Sequence, residues 1–213
     1  MPPATYDELG TLLTRYVEVD AFKLSIDKLK GCLQSVSSEE VFQLLATVRD
    51  KQECTAIHKT TVRGHPEILT CFFNKVTPEQ RFKLVEMRNV NRWTVLHATA
   101  FMGAIKPFES ICNFVTAEQI YQLLTMKDLP GSTALHYAVS KGHRELAARM
   151  LDSVEPAQRL QLLDITDRCG KTTLDLALQI GDQSTADLIR CYRQQTSNQK
   201  DATQDDGKSS CFI

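Results

Sequence analysis

Three histidines recur at a fixed interval: His58, His97 and His136, each 39 residues after the one before. Imidazole is the commonest metal ligand and a frequent general base, so three in series invite a metal or acid–base site. That chemistry needs carboxylates or thiols converging on the rings. No H-E-x-x-H or C-x-x-C spacing accompanies them. Each histidine instead closes the same short frame: Thr55-Ala56-Ile57-His58, Thr94-Val95-Leu96-His97 and Thr133-Ala134-Leu135-His136. A fourth copy reads Thr172-Thr173-Leu174-Asp175, so Asp175 is an end-of-series variant and not a general base. One histidine per unit, always in the same place, reads as scaffold. The glycines Gly64, Gly103, Gly142 and Gly181 share the 39-residue spacing. With no G-x-x-x-x-G-K-[ST], G-x-G-x-x-G or G-x-S-x-G in the chain, they read as helix stops, not as a phosphate cradle, and no nucleophile elbow is present. The expectation is no enzyme, no cofactor and no metal.

The elements that carry these frames follow from periodicity. A fixed period of this size marks a repeat array. Thr of the T-x-L-H frame caps a first helix that ends at the glycine. A second helix runs over His65–Phe73 and its equivalents, with Pro66 and Pro107 in opening turns where a missing N–H costs little. A third signature, Val76-Thr77-Pro78-Glu79-Gln80, returns from Val36, Val115 and Val154. Threonine or serine with Gln or Glu three residues on is a capping box, so each unit gains a short third helix. The turns between units open on Asp50, Asn89, Asp128 and Asp167; glycine closes only the last two, at Gly131 and Gly170.

Residues 1–49 read as a degenerate capping unit, with Leu9, Leu12, Leu13 and Tyr16 on one helical stripe and Phe22, Ile26, Leu29 and Leu33 on another. Residues 50–193 hold four full units. Residues 194–213 are polar and read as a disordered tail.

Asp128-Leu129-Pro130-Gly131-Ser132-Thr133-Ala134-Leu135-His136-Tyr137-Ala138, followed by Gly142-His143, resembles the ankyrin repeat. The likeness is clear over residues 50–193 and weak over 20–50. It implies an all-α, ankyrin-type helical solenoid, here with an additional short helix per repeat. It also implies that the three histidines make structural hydrogen bonds at repeat junctions. The units depart from an ordinary repeat of about 33 residues, and the surplus coincides with the third helix. Glu53 and Arg92 stand where the turn glycine belongs, so those turns should be strained or altered. Ala104 replaces the histidine of the G-H pair.

The resemblance places a concave groove along the turn tips and the exposed side of the first helices. At those positions Trp93, Phe101, Met102 and Tyr137 concentrate in the two middle repeats, flanked by Arg63, Arg92 and Lys141. Aromatics beside arginine suit a binding hot spot. The alternative is that Trp93 folds onto the neighbouring repeat and Phe101 onto the core.

Net charge is −1, which gives no bulk field for nucleic acid. The opening residues lack the basic and apolar regions of a secretory signal, and no apolar run is long enough to span a membrane. Seven scattered cysteines suit reduced thiols in the cytoplasm or nucleus, and Cys32, Cys71, Cys112 and Cys191 are expected buried on second helices. The last residues offer a separate docking point. Cys211 misses a prenylation box by one residue, but could be acylated, and Ile213 could enter a PDZ-type groove. The function expected is that of a monomeric, non-catalytic adaptor binding a protein partner. Alternatives are a scaffold attached by its tail, to membrane only if that tail is acylated, and a regulatory subunit of an enzyme complex.

Overall fold

A computed structural model describes residues 6–19 and 25–205, with side chains placed to residue 195. Among the described residues there are fourteen α-helices and no strand. The first unit comprises α1 (Tyr6–Glu18), α2 (Ile26–Ser35) and α3 (Ser38–Thr47). The second is α4 (Ala56–Val62), α5 (Pro66–Lys75) and α6 (Pro78–Glu86); the third is α7 (Val95–Met102), α8 (Ile105–Cys112) and α9 (Ala117–Thr125). The fourth is α10 (Ala134–Ser140), α11 (Arg144–Asp152) and α12 (Pro156–Asp164), and α13 (Thr173–Gln179) with α14 (Gln183–Asp205) ends the series. First helices pack in one row, α1 on α4, then α7, α10 and α13. Second helices form another row through α2, α5 and α8, and third helices pair as α3 with α6 and α9 with α12. The architecture is the all-α array with three helices per unit that the spacing predicts.

The first helices α4, α7, α10 and α13 are only seven or eight residues long. Helices so short do not persist alone in water, so caps and stacking must hold them. A threonine caps each, and positive-φ glycines follow at Gly64, Gly103, Gly142 and Gly181. Gly103 has a second reason to be glycine: a Cβ there would stand 2.6 Å from the His143 ring. Second helices bury one stripe. In α5 this is Ile68, Leu69, Phe72 and Phe73, and Phe73 meets Phe114 of the next unit with ring centroids 5.3 Å apart. Full burial of such side chains contributes about 1.5–3 kcal/mol each. Third helices carry complete capping boxes at Ser37/Glu40, Thr77/Gln80 and Thr116/Gln119, as the T-x-E-Q pattern requires. They also bond along their row: Gln80 donates to Glu39 at 2.8 Å and Gln158 to Glu118 at 2.8 Å.

Backbone hydrogen bonds join the turn tips from unit to unit: Val90 N–H to Gln52 O, Leu129 N–H to Asn91 O and Arg168 N–H to Pro130 O, at 3.1–3.2 Å. This ladder explains Glu53 and Arg92. Both keep the left-handed conformation, φ 56° and 61°, that Gly131 and Gly170 adopt at 79° and 75°. A side chain there costs about 1–2 kcal/mol. The turn is kept and strained, not reshaped, because the ladder and the opening Asp or Asn fix it on both sides.

Helix α14 runs from Gln183 to Asp205, into the polar stretch that begins at residue 194. Its first half is docked: Tyr192 bonds Asp152 at 2.8 Å, and Arg193 reaches Leu163 O at 3.0 Å and pairs with Asp164 at 2.8 Å. Propagation from an anchored start is cheap, and neither proline nor glycine interrupts the chain before Gly207. The structure corrects the expected burial of the cysteines on second helices. Cys191 is exposed, and Cys71 and Cys112 are half-buried; only Cys32 of the four is buried. Cys191 lies on α14, the last described helix. Cys211 and Ile213 lie outside the described residues. No helix among the described residues is long and apolar enough to cross a membrane.

Candidate interaction site

The histidines resolve first. In each copy the threonine hydroxyl meets Nδ1 of the histidine three residues on, at 2.9, 2.9 and 2.8 Å, and the threonine N–H also points to that nitrogen. Nδ1 therefore accepts, and the proton is on Nε2. Nε2 donates across the junction to the next unit: His58 to Trp93 O at 3.1 Å, His97 to Ser132 O and His136 to Lys171 O at 3.2 Å. Each ring is a strut between repeats. Burial pushes His58 and His97 down to about 4 and lowers His136, so all are neutral at pH 7. Asp175 keeps only the acceptor half of this role, and among the described residues no further repeat turn lies beyond it. Its carboxylate takes the Thr172 N–H at 2.8 Å and hydroxyl at 2.7 Å. Those two bonds hold its pKa below the ordinary carboxylate value. Among the described residues no three His, Cys, Asp or Glu side chains gather as metal ligands.

The turn-opening residues build the next layer. One side-chain oxygen of Asp50, Asn89 and Asp167 accepts two backbone N–H groups within its own turn, at 2.8–3.0 Å. Asp128 accepts only one, from Ser132 at 2.8 Å, because the residue two positions on is Pro130, which has no N–H. Its second oxygen takes the Trp93 indole N–H at 3.1 Å and the Tyr137 hydroxyl at 2.6 Å. The Asp128 side chain is thus a buried anchor binding a tip residue of one unit to a helix residue of the next. Burial first, then the adjacent carboxylate, pushes the Tyr137 phenol up.

Around this anchor three rings assemble. Trp93 lies 4.9 Å from Tyr137 and 5.3 Å from Phe101, centroid to centroid, and Phe101 lies 6.2 Å from Tyr137. The Lys141 ammonium stands 4.4 Å over the Phe101 ring. Trp93 and Tyr137 are half-buried, whereas Phe101 and Met102 remain 38% and 48% exposed. Trp93 does fold onto the neighbouring repeat, while Phe101 stays outside the core. Arg92 is exposed at the tip beside Trp93. Arg63 is elsewhere. Its guanidinium donates to Tyr16 O and, at 3.0 Å, to Val19 O, and it covers the Tyr16 ring at 4.6 Å. It staples the end of α1 to α4 and does not flank the rings.

In the sequence Asp128 is one turn opener among four, with nothing in its own turn to mark it as a site residue. A signal was present. The residue nine positions after each opener is Lys59, Ala98, Tyr137 or Leu176, and in the first copy Lys59 pairs with Asp50 at 2.7 Å. Tyr137 meets Asp128 by the same geometry.

A comparison with curated proteins gave no match. The family model described as Ankyrin repeat matches residues 130–159, which span Gly131, the His136 frame, α10 and α11. With strut, turn and helix pair recurring in the same register, the chain carries an ankyrin repeat within an all-helical repeat array.

Proposed function

We propose that this chain is an adaptor that binds a protein partner on the face formed by Phe101, Met102 and the outer edges of Trp93 and Tyr137, with Arg92 and Lys141 beside them. Ankyrin repeat domains are generally protein-interaction modules and typically non-catalytic, which supports the coarse reading. The observation that carries the finer one is the exposure of Phe101 and Met102 on a ring cluster already fixed from below by Asp128. Rigid aromatic anchors lose little entropy on binding and are the residues that dominate interfaces. The chain acts as a monomer in the cytoplasm or nucleus, in keeping with the free thiols of its described cysteines.

Trp93 and Tyr137 are unsuitable for a test, because both hold the junction. Phe101→Ala/Met102→Ala removes exposed area and leaves Asp128 satisfied. Quantitative affinity capture should lose the specific partner by about tenfold or more, given that central anchors cost 2 kcal/mol or more when truncated. The melting temperature should stay within a few degrees of wild type. Undiminished capture by a folded double variant refutes the assignment of this face.

A further inference from the structure

The charges nearest the rings differ in how they are held. Asp128, the carboxylate nearest them, is buried and has both oxygens engaged by Ser132, Trp93 and Tyr137. It therefore presents no free anion to a ligand. The exposed charges beside the rings include Lys141 over Phe101 and Arg92 next to Trp93, while the preceding tip carries Glu53, which pairs with Arg49 at 3.9 Å. The following turn adds Arg168, exposed at its tip. A cation resting on a ring face is held in place by the ring quadrupole. Lys141 is therefore presented at the rim of the apolar patch and not left to swing into solvent. An apolar centre with Lys141 and Arg92 beside it, and with the carboxylate of the preceding tip, Glu53, paired to Arg49 at 3.9 Å, is complementary to an apolar side chain flanked by Asp or Glu. It disfavours basic segments by like-charge juxtaposition.

We infer that the patch selects an acidic segment of a protein partner, one apolar anchor on Phe101 and Met102 with neighbouring carboxylates reaching Lys141 and Arg92. The inference rests on the reading of this face as the partner site. A polypeptide fits better than nucleic acid. The cations are few and gathered around the rings, with no row to track a phosphate backbone, and the chain's net charge is −1.

The test uses the full chain and a displayed library of short random peptides, with Trp93, the single tryptophan, as fluorescent reporter. Peptides retained by wild type should pair an aromatic or aliphatic residue with Asp or Glu. Their affinity should fall about three- to tenfold between low and high salt, because exposed ion pairs are screened. Lys141→Glu/Arg92→Glu should invert the enrichment toward Lys and Arg, and Phe101→Ala/Met102→Ala should abolish retention of either set. If retained peptides are neutral or basic yet still need Phe101 and Met102, the acidic preference is wrong and the site stands. If no retained peptide depends on Phe101 and Met102, both fail. Stronger quenching of Trp93 by a single-stranded oligonucleotide than by acidic peptides also overturns the inference.

Discussion

Acidification from pH 7 to pH 4 should remove most of the stability of this array. His58 and His97 titrate at about 4 in the folded chain against 6.5 unfolded, chiefly through burial, and His136 is lowered for the same reason. Because folded values lie below unfolded ones, the unfolded chain binds protons first as pH falls. Stability is therefore complete above 6.5, declines from there to about 4, and changes no further on account of these rings below that. The two histidines with the larger shift account for on the order of 3 kcal/mol each, against the roughly 5–15 kcal/mol that holds a typical domain. Protonation would also put an N–H on Nδ1 facing the threonine N–H, so the strut fails at its capping end as well as by desolvation. Urea unfolding at stepped pH should show the midpoint falling steeply through this window. His97→Gln keeps an acceptor and a donor but cannot titrate. It should cost about 1–2 kcal/mol at pH 7 and give a shallower decline. The carboxylates held low by hydrogen bonds and ion pairs, among them Glu40, Asp50 and Asp175, lose their contribution only as pH falls further. A midpoint that stays flat between pH 6.5 and 4 would show that the rings are not neutral struts.

Asp128→Ala should be the most damaging single substitution at the candidate site, at about 3–5 kcal/mol. It strips the acceptor from the Trp93 indole, the Tyr137 hydroxyl and the Ser132 amide together, all within a buried or half-buried setting. It also releases the turn on which the third and fourth units meet. Asp128→Asn separates these effects. Asn89 shows that an amide oxygen can hold the turn N–H groups. An amide NH2 facing the indole N–H, however, leaves that donor without a partner, so Asn should recover only part of the loss. Thermal melts give the ranking, and the emission maximum of Trp93 reports whether its indole has left the cluster. Equal stability of Asp128→Ala and wild type would mean that solvent, not the carboxylate, satisfies these donors.

The scaffold was legible because its chemistry is local. A threonine opening a short helix, and a threonine three residues before a glutamine, state their own capping bonds, and a glycine after seven helical residues states its φ; the histidine bonds at the junctions are legible only through the resemblance to the ankyrin repeat. The site was legible only in part. Trp93 and Phe101 stand at matching positions of one repeat, but whether a tip residue turns outward or onto its neighbour depends on what the next repeat offers. Here it offers Asp128, freed by Pro130 from half of its usual turn bonds. By sequence position Arg63 flanks the patch, yet the carbonyls ending α1 claim it. That contact joins segments 44 residues or more apart, and no local pattern encodes it.

Side-chain footprinting by hydroxyl radicals, on the chain alone and with the partner recovered by capture, tests the central claim directly. Met102, Phe101, Trp93 and Tyr137 are among the side chains most readily oxidised, and the first two are exposed. Bound partner should shield Met102 and Phe101 most strongly, while Cys191 and the outer positions of α5 and α8 keep their rates. Shielding of those outer positions with Met102 and Phe101 unchanged would contradict it.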